Sequence, residues 1–319
     1  SFTMNLPVPD DWTEARDMLL PVVRRATEPA HAFRAEQASP ENRLVRRPLG
    51  KYLSELVMID LPDVRMYINH GHLKQWNVTA RQAFEASHSV MRDYATSGLK
   101  RRTEYALWHL DAPDGSASSR LALPGWLGAF ADQVPGTPVA IIPSPRLLLV
   151  GGLDDDGQLA RLIDIASDGF HMADSPLSPA LYVSDATGRA TPLDLSPVTK
   201  RHSRVHGNLR ALAKRVYNEQ AEQLRPYLDV DLPTCEITTN EETGETSTWC
   251  VWESTARPVW LPETDFIVLR DGDGDWWLPT DRIRDVVQGV WDSTPVHPRR
   301  HQARWPMDET LRKLKACSE

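Results

Sequence analysis

Long apolar runs, paired cysteines and glycine-rich nucleotide loops are all missing from this chain of 319 residues. No stretch approaches the ~20 consecutive apolar residues that a bilayer helix needs, and no basic segment leads into an apolar one near the start, so neither a membrane helix nor a secretory leader is expected. Ser1-Phe2-Thr3 ahead of Met4 reads as a remnant of tag cleavage, with Met4 the expected natural start. Three cysteines, Cys235, Cys250 and Cys317, are an odd number without a Cys-x-x-Cys pair. That excludes a disulfide framework and a thiolate zinc site as leading ideas and suits reduced thiols in the cytoplasm. Cys235 and Cys250 sit where they can face each other across a hairpin, as thiols rather than a disulfide. Gly-x-Ser-x-Gly, Walker and Gly-x-Gly-x-x-Gly motifs are absent as well, which removes the common serine-hydrolase and nucleotide-binding classes from first place and implies no cofactor. Positive charge is in deficit too. A formal net charge of −8 disfavours adhesion of the whole surface to nucleic acid or anionic lipid.

What is present is ordinary globular material, 41% hydrophobic and 25% charged, in a chain long enough for two medium domains. The proline- and serine-containing stretch from 174 to 198 is the best boundary, giving residues 1–196 and 197–319 as the two domains. A helix is expected from Asp11 to about Ala32, on the stripe Trp12, Met18, Leu19, Val22 and Val23. Leu56 to Ile59, a Leu61-Pro62-Asp63 break and Val64 to Ile68 read as two strands, followed by a helix from Thr79 to about Thr96. Thr79 and Gln82 have capping-box spacing there, and Gly98 closes the helix. Val139 to Ile142, Pro143, Leu147 to Val150 and the stripe Leu159, Leu162, Ile163, Ala166 repeat that ββα order. Val259 to Leu261, Pro262, Phe266 to Leu269 and the stripe Ile283, Val286, Val287, Val290 give a third, ββα-like copy. Strands are also expected at Glu104 to Leu110 and Leu181 to Val183, with a short helix around Trp126 to Ala131. In the second domain a basic helix from about His202 to Leu228 precedes a strand pair, Cys235 to Thr239 and Thr246 to Trp252. The class is α+β, with mixed sheets built from ββα units and covered by helices.

The segments "LVRRPLG", "VMIDLPDVRMYINHGHLKQWNVTARQAF", "VAIIPSPRLLLV" and "PLSPALY", in that order, resemble the YtpQ-like family of uncharacterised bacterial proteins over about residues 44 to 184. The resemblance rests on the Asp60-Leu61-Pro62 turn, on Leu73 and Trp76 before the helix, and on Pro143. It implies an α+β fold and a bacterial cytosolic origin, and it supplies no catalytic residues. The tryptophan-rich C-terminal segment lies outside it.

Candidate chemistry is sparse. His202 and His206 share a helical face at i, i+4, a spacing that can place two imidazoles on one zinc. His70 and His72 would alternate on one face of an extended chain, and His297 and His301 make a third pair. His88 falls on the buried stripe of its helix and reads as a hydrogen-bonded core histidine. "DGDGDWW" lacks the glycine and glutamate positions of a calcium loop and reads as a hairpin turn from Leu269 to Trp277. "DDDG" at 154 to 157 reads as a turn that caps the next helix. On the helix from 200 to 215, Val205, Leu209, Leu212 and Val216 form an apolar seam, which leaves Arg201, Arg204, Arg210, Lys214 and Arg215 over the other faces. A solvated face, or docking within the chain, outweighs binding of a phosphate backbone or of an acidic partner, the chain's own acidic segment at 229 to 275 included. Seven of the eleven tryptophans follow residue 248, and Trp276 and Trp277 are the candidates for a binding surface within what is mainly a core. The leading expectation is a non-catalytic binding or scaffold protein with a protein partner and no membrane. An enzyme, such as a metal-dependent hydrolase with a site between the domains, and nucleic-acid binding through the basic helix are the alternatives.

Overall fold

The computed structural model describes residues 8–32, 34, 37, 39–102, 107–154, 156–194, 200–284, 286 and 291–318, with the backbone alone at 156 and 200–202. The chain divides into two compact units, Ser1–Leu195 and Ser196–Glu319. Both are α+β.

Unit 1 begins with one turn of helix, α1 (Trp12–Ala15), capped by the Asp11 carboxylate on the Thr13 amide at 2.8 Å. Only one further 3-10 turn follows before β1 (Leu19–Arg25), so the helix expected to Ala32 is a strand. Its physical reason is local. Leu19 to Val23 are all buried, Val22 and Val23 are β-branched, and Pro21 would break a helix interior but is tolerated on an edge strand. Next come β2 (Arg46–Pro48), β3 (Leu53–Asp60) and β4 (Arg65–Tyr67). Strand β3 pairs with β1 on one side and with β2 and β4 in succession on the other. Leu61 and Val64 exchange backbone hydrogen bonds around Pro62, so this proline does mark the β3–β4 turn.

Helix α2 (His70–Gln75) follows, and it replaces the extended segment expected around His70 and His72. Asn69 caps it, and the His72 side chain returns a bond to the Asn69 amide at 3.0 Å. Helix α3 (Ala80–Arg92) carries the Thr79–Gln82 capping box as expected and packs over β1 and β3. Its core is Leu19, Val57, Ile59, Ile68, Leu73, Trp76, Ala83 and Phe84.

The second sheet of unit 1 comprises β5 (Lys100–Arg102), β6 (Leu107–Asp111), β7 (Thr137–Ser144), β8 (Leu147–Leu153), β9 (Leu181–Ser184) and β10 (Ala190–Pro192), in the order β10-β9-β7-β8-β6-β5. Helix α4 (Asp156–Met172) covers β7, β8 and β9. The β7–β8–α4 succession is the second expected unit, but its hinge lies elsewhere. Pro143 sits inside β7 where the register slips between Ile141 and Ser144, a place that tolerates a missing N–H, and the turn is at Pro145-Arg146. The short helix expected near Trp126 is a 3-10 segment, Leu127–Phe130. Of the strand expected from Glu104, residues 103–106 lie outside the described residues. A second 3-10 segment, Ala117–Ala122, is buried throughout, and its Ser119 hydroxyl accepts the Val23 amide at 3.3 Å, covering the edge of β1.

Unit 2 opens with α5 (Lys200–Leu224), then β11 (Glu236–Thr239), β12 (Thr246–Glu253), β13 (Val259–Pro262), β14 (Phe266–Asp271) and β15 (Gly274–Pro279). A one-turn helix α6 (Thr280–Ile283), β16 (Trp291–Ser293), β17 (Arg300–Ala303) and α7 (Asp308–Lys315) complete it. Strands β11-β12-β14-β15 form one sheet, with β12 and β14 parallel, and β13-β17-β16 form another. The third ββα copy is therefore not a hairpin unit. Its two strands, β13 and β14, belong to different sheets, so Pro262 marks a change of sheet. Ile283 closes a single helical turn, and Val287 and Val290 of the expected stripe lie outside the described residues. The hairpin turn expected between Leu269 and Trp277 does join β14 to β15, and lies at Asp271 to Gly274. A hydrophobic cluster of the unit joins Cys250, Trp252, Ile267, Leu269 and Leu278 of the larger sheet, Val259, Leu261 and Ala303 of the smaller, and Leu314 of α7.

Candidate functional site

Helix α5 buries Val205, Leu212 and Val216 of its expected seam, while Leu209 is half-buried. Its basic residues turn largely to acids of the same unit. Arg210 Nε donates to Asp265 Oδ2 at 3.0 Å, Lys214 Nζ to Glu236 at 2.7 Å, and Arg215 pairs along the helix with Glu219 at 2.9 Å. Burial opposes ionisation of Asp265, but the Arg210 guanidinium and the Thr248 amide and hydroxyl outweigh it and hold the carboxyl below the usual range. Arg204 and His206 also have partners. The side chains of Arg201 and His202 lie outside the described residues, so the expected histidine pair has only His206 in view. Among the described residues no group of three or more His, Cys, Asp or Glu side chains is placed to hold a metal ion. Cys235 and Cys250 are buried thiols, with burial pushing them up to about 12 and about 11.

Adjacent residues on a strand point to opposite faces, and this separates the two candidate tryptophans. Trp276 faces inward with Trp252 and Leu269, and the Lys315 ammonium lies 3.6 Å from its ring centroid while pairing with Asp271 at 2.8 Å. Trp277 faces outward and is 37% exposed. The ladder puts Val251, Val268 and Trp277 in one row across β12, β14 and β15, and Trp249, Phe266 and Pro279 in the next. Trp277 meets Trp249 at 5.2 Å and Phe266 at 6.2 Å between ring centroids, giving a three-ring cluster. The row on its other side is Glu253, Arg270 and Asp275. There Arg270 grips Asp275 with two bonds of 2.8 Å, and Glu253 adds a second carboxylate at 3.9 Å. The outer face is thus aromatic with an acidic rim.

Two charged centres in unit 1 escape sequence reasoning. Glu55, 1% exposed at the α3-facing side of β3, accepts Arg47 Nε at 2.7 Å and meets His88 Nε2 at 2.6 Å. The Arg47 guanidinium in turn lies 4.2 Å from the Phe84 ring centroid. His88 is therefore the hydrogen-bonded core histidine expected. The available signal was alternation: Leu53, Glu55, Val57 and Ile59 share one face of β3, so the glutamate had to be paired inside. The Ser87 hydroxyl, next to His88 in the sequence, donates to the Phe84 carbonyl at 2.9 Å. The second centre gathers Asp60, Arg65 and Asp114 at the β3–β4 turn, with Arg65 bridging the two carboxylates at 2.7 Å each. Comparison of the chain with family models, curated proteins and solved structures finds no match.

Proposed function

We propose that the chain is a non-catalytic binding protein of the bacterial cytoplasm, with the outer face of the β11-β12-β14-β15 sheet as its recognition surface. The observation that carries this reading is Trp277, a large ring left 37% exposed at the centre of a three-ring cluster. Tryptophan at such a position supplies the rigid, half-apolar anchor around which protein interfaces concentrate their binding energy. The rim of Glu253 and Asp275 favours a protein segment that offers an arginine or lysine beside an apolar side chain, since a cation can stack on Trp277 while meeting a carboxylate. Membership in the YtpQ-like family is proposed with it, on the Asp60-Leu61-Pro62 turn, Leu73, Trp76 and Pro143. The internal pairing of Arg210, Lys214 and Arg215 removes three of the five basic side chains on which a nucleic-acid role would draw.

The test is capture from native-host lysate at low and moderate salt, run in parallel with the wild-type chain and with Trp277→Ala. One protein held by the wild type at moderate salt and lost with Trp277→Ala is the expected result. Equal retention by the variant, or nucleic acid as the retained species, overturns the proposal.

A further inference from the structure

Strand β5 is an edge strand made of three consecutive cations, Lys100, Arg101 and Arg102, all exposed. Among the described residues none of the three has an ion pair or a side-chain hydrogen bond, and their backbone bonds to β6 alone. Two other edges of unit 1 are protected differently. Ser119 covers β1 at Val23, and β10, at the far side of the same sheet as β5, ends in Pro192, which has no N–H to offer. Pairing with β6 sorts the three cations into rows. Lys100 stands opposite His109 and Arg102 opposite Leu107 on one face, while Arg101 stands opposite Trp108 on the other. Burial pushes the His109 imidazole down, and the charges of Arg102 and Lys100 add to this against the opposing Asp111. Trp108 is half-buried and packs edge-on against Phe130 at 6.1 Å between ring centroids.

An open strand edge is a template for one more strand, because a row of backbone N–H and C=O groups faces outward. Lysine and arginine on such an edge repel a second copy of the same edge, and the same charges select an acidic strand in its place. We propose that β5 is a docking edge for an extended protein segment that alternates acidic and apolar residues and adds to the sheet as a seventh strand. The alternation follows from the rows. Partner residues two positions apart face Lys100 and Arg102, where carboxylates match, and the residue between them enters the row of Arg101 and Trp108, where an apolar side chain covers the ring. Single-stranded nucleic acid would answer the three charges but leave the backbone edge unused, and the net charge of −8 opposes a polyanion over the rest of the surface. This edge lies in unit 1 and is independent of the Trp277 face.

The experiment measures fluorescence anisotropy of a labelled, end-capped Glu-Val-Glu-Val-Glu-Val peptide as the full-length protein is added. Two further probes are the same peptide N-methylated throughout, which keeps the charge and loses every backbone donor, and a labelled oligo-dT. Saturable binding of the plain peptide is expected, weakened about tenfold by N-methylation. The double variant Lys100→Glu with Arg102→Glu should weaken it about tenfold or more, and both sites are exposed, so the fold should persist. No binding of the plain peptide, equal binding of the N-methylated one, an affinity unchanged by the double variant, or tighter binding of oligo-dT would each overturn the proposal. Should the double variant fail to fold, the three probes on the wild-type chain decide by themselves.

Discussion

Each unit buries a charge beneath a helix, but the two neutralise it differently. In unit 1, Glu55 is met by two side chains, the Arg47 guanidinium and the His88 ring, each from another element. In unit 2, the fully buried Arg300 meets no carboxylate among the described residues. Its Nε donates to Gln220 Oε1 at 2.7 Å, and its remaining nitrogens donate to the carbonyls of Tyr217, Trp260 and Pro233 at 2.7, 2.9 and 3.2 Å. Burial pulls its guanidinium down to about 10, which still leaves it charged at neutral pH. The difference teaches that a buried ion can be held by counter-charge or by aimed dipoles, and that the dipole solution ties more of the fold together. Arg300 alone connects α5, the loop before β11, β13 and β17, whereas the Glu55 set joins β2, β3 and α3.

The comparison breaks most visibly at Arg300. Arg300→Met removes the donor from four acceptors, Gln220 Oε1 and the carbonyls of Tyr217, Trp260 and Pro233, so a loss of about 4 kcal/mol is expected. Calorimetry should show the transition of unit 2 collapse while the unit 1 transition stays, and a joint loss of both would contradict the assignment of this arginine to one unit. Glu55→Gln comes next, at about 2 to 3 kcal/mol, because Arg47 is part-exposed and can turn to water while His88 keeps a polar neighbour. The double variant Glu55→Leu with His88→Leu should cost less than the sum of the two single changes in urea denaturation, the signature of a coupled pair. Strict additivity would mean that the 2.6 Å contact does nothing for stability.

These centres also mark the limit of what the sequence reveals. Local signals were legible: the Thr79 capping box, helix α5, the β11–β12 and β14–β15 hairpins and the β7–β8–α4 succession all arise from residues a few positions apart. Leu19 to Val23 misled because a short, wholly apolar run has no period, so helix and doubly buried strand look alike until a partner strand is known. The third ββα reading failed for a related reason, since nothing local says that β13 and β14 enter different sheets. Glu55 meets His88 across 33 positions and Arg300 meets Gln220 across 80, and no spacing rule reaches so far. The candidate surface was half legible. Strand alternation separates Trp276 from Trp277, but which of them faces solvent is settled by α7 and the smaller sheet.

A smaller effect sharpens the comparison by asking what a part-exposed ion pair adds. Asp265 has a folded pKa below its ordinary value, so its contribution is complete above the unfolded pKa and is lost as pH falls through the folded one. Asp265→Asn should therefore destabilise unit 2 by about 1 kcal/mol at neutral pH, a figure discounted because the side chain is more than a third exposed. The gap between variant and wild type should close on acidification below the ordinary aspartate range. Urea midpoints measured at neutral and strongly acidic pH check this, and a gap that persists in acid would place the effect in the Thr248 bonds rather than in charge.

The smallest effect on folding is expected at the residue proposed to matter most for binding. Trp276 is wedged between Lys315 and the core, so its truncation opens a cavity and removes a cation contact. Trp277 packs with Trp249 and Phe266 on the open face, and Trp277→Ala should cost about 1 kcal/mol or less while leaving both unfolding transitions cooperative. Stability and recognition would then be separated on neighbouring residues of one strand, with the inward ring holding the fold and the outward ring free to be spent on a partner. Thermal unfolding of the two variants side by side decides it: equal losses would show that the outer cluster is part of the scaffold, and would remove the reason to read Trp277 as an anchor.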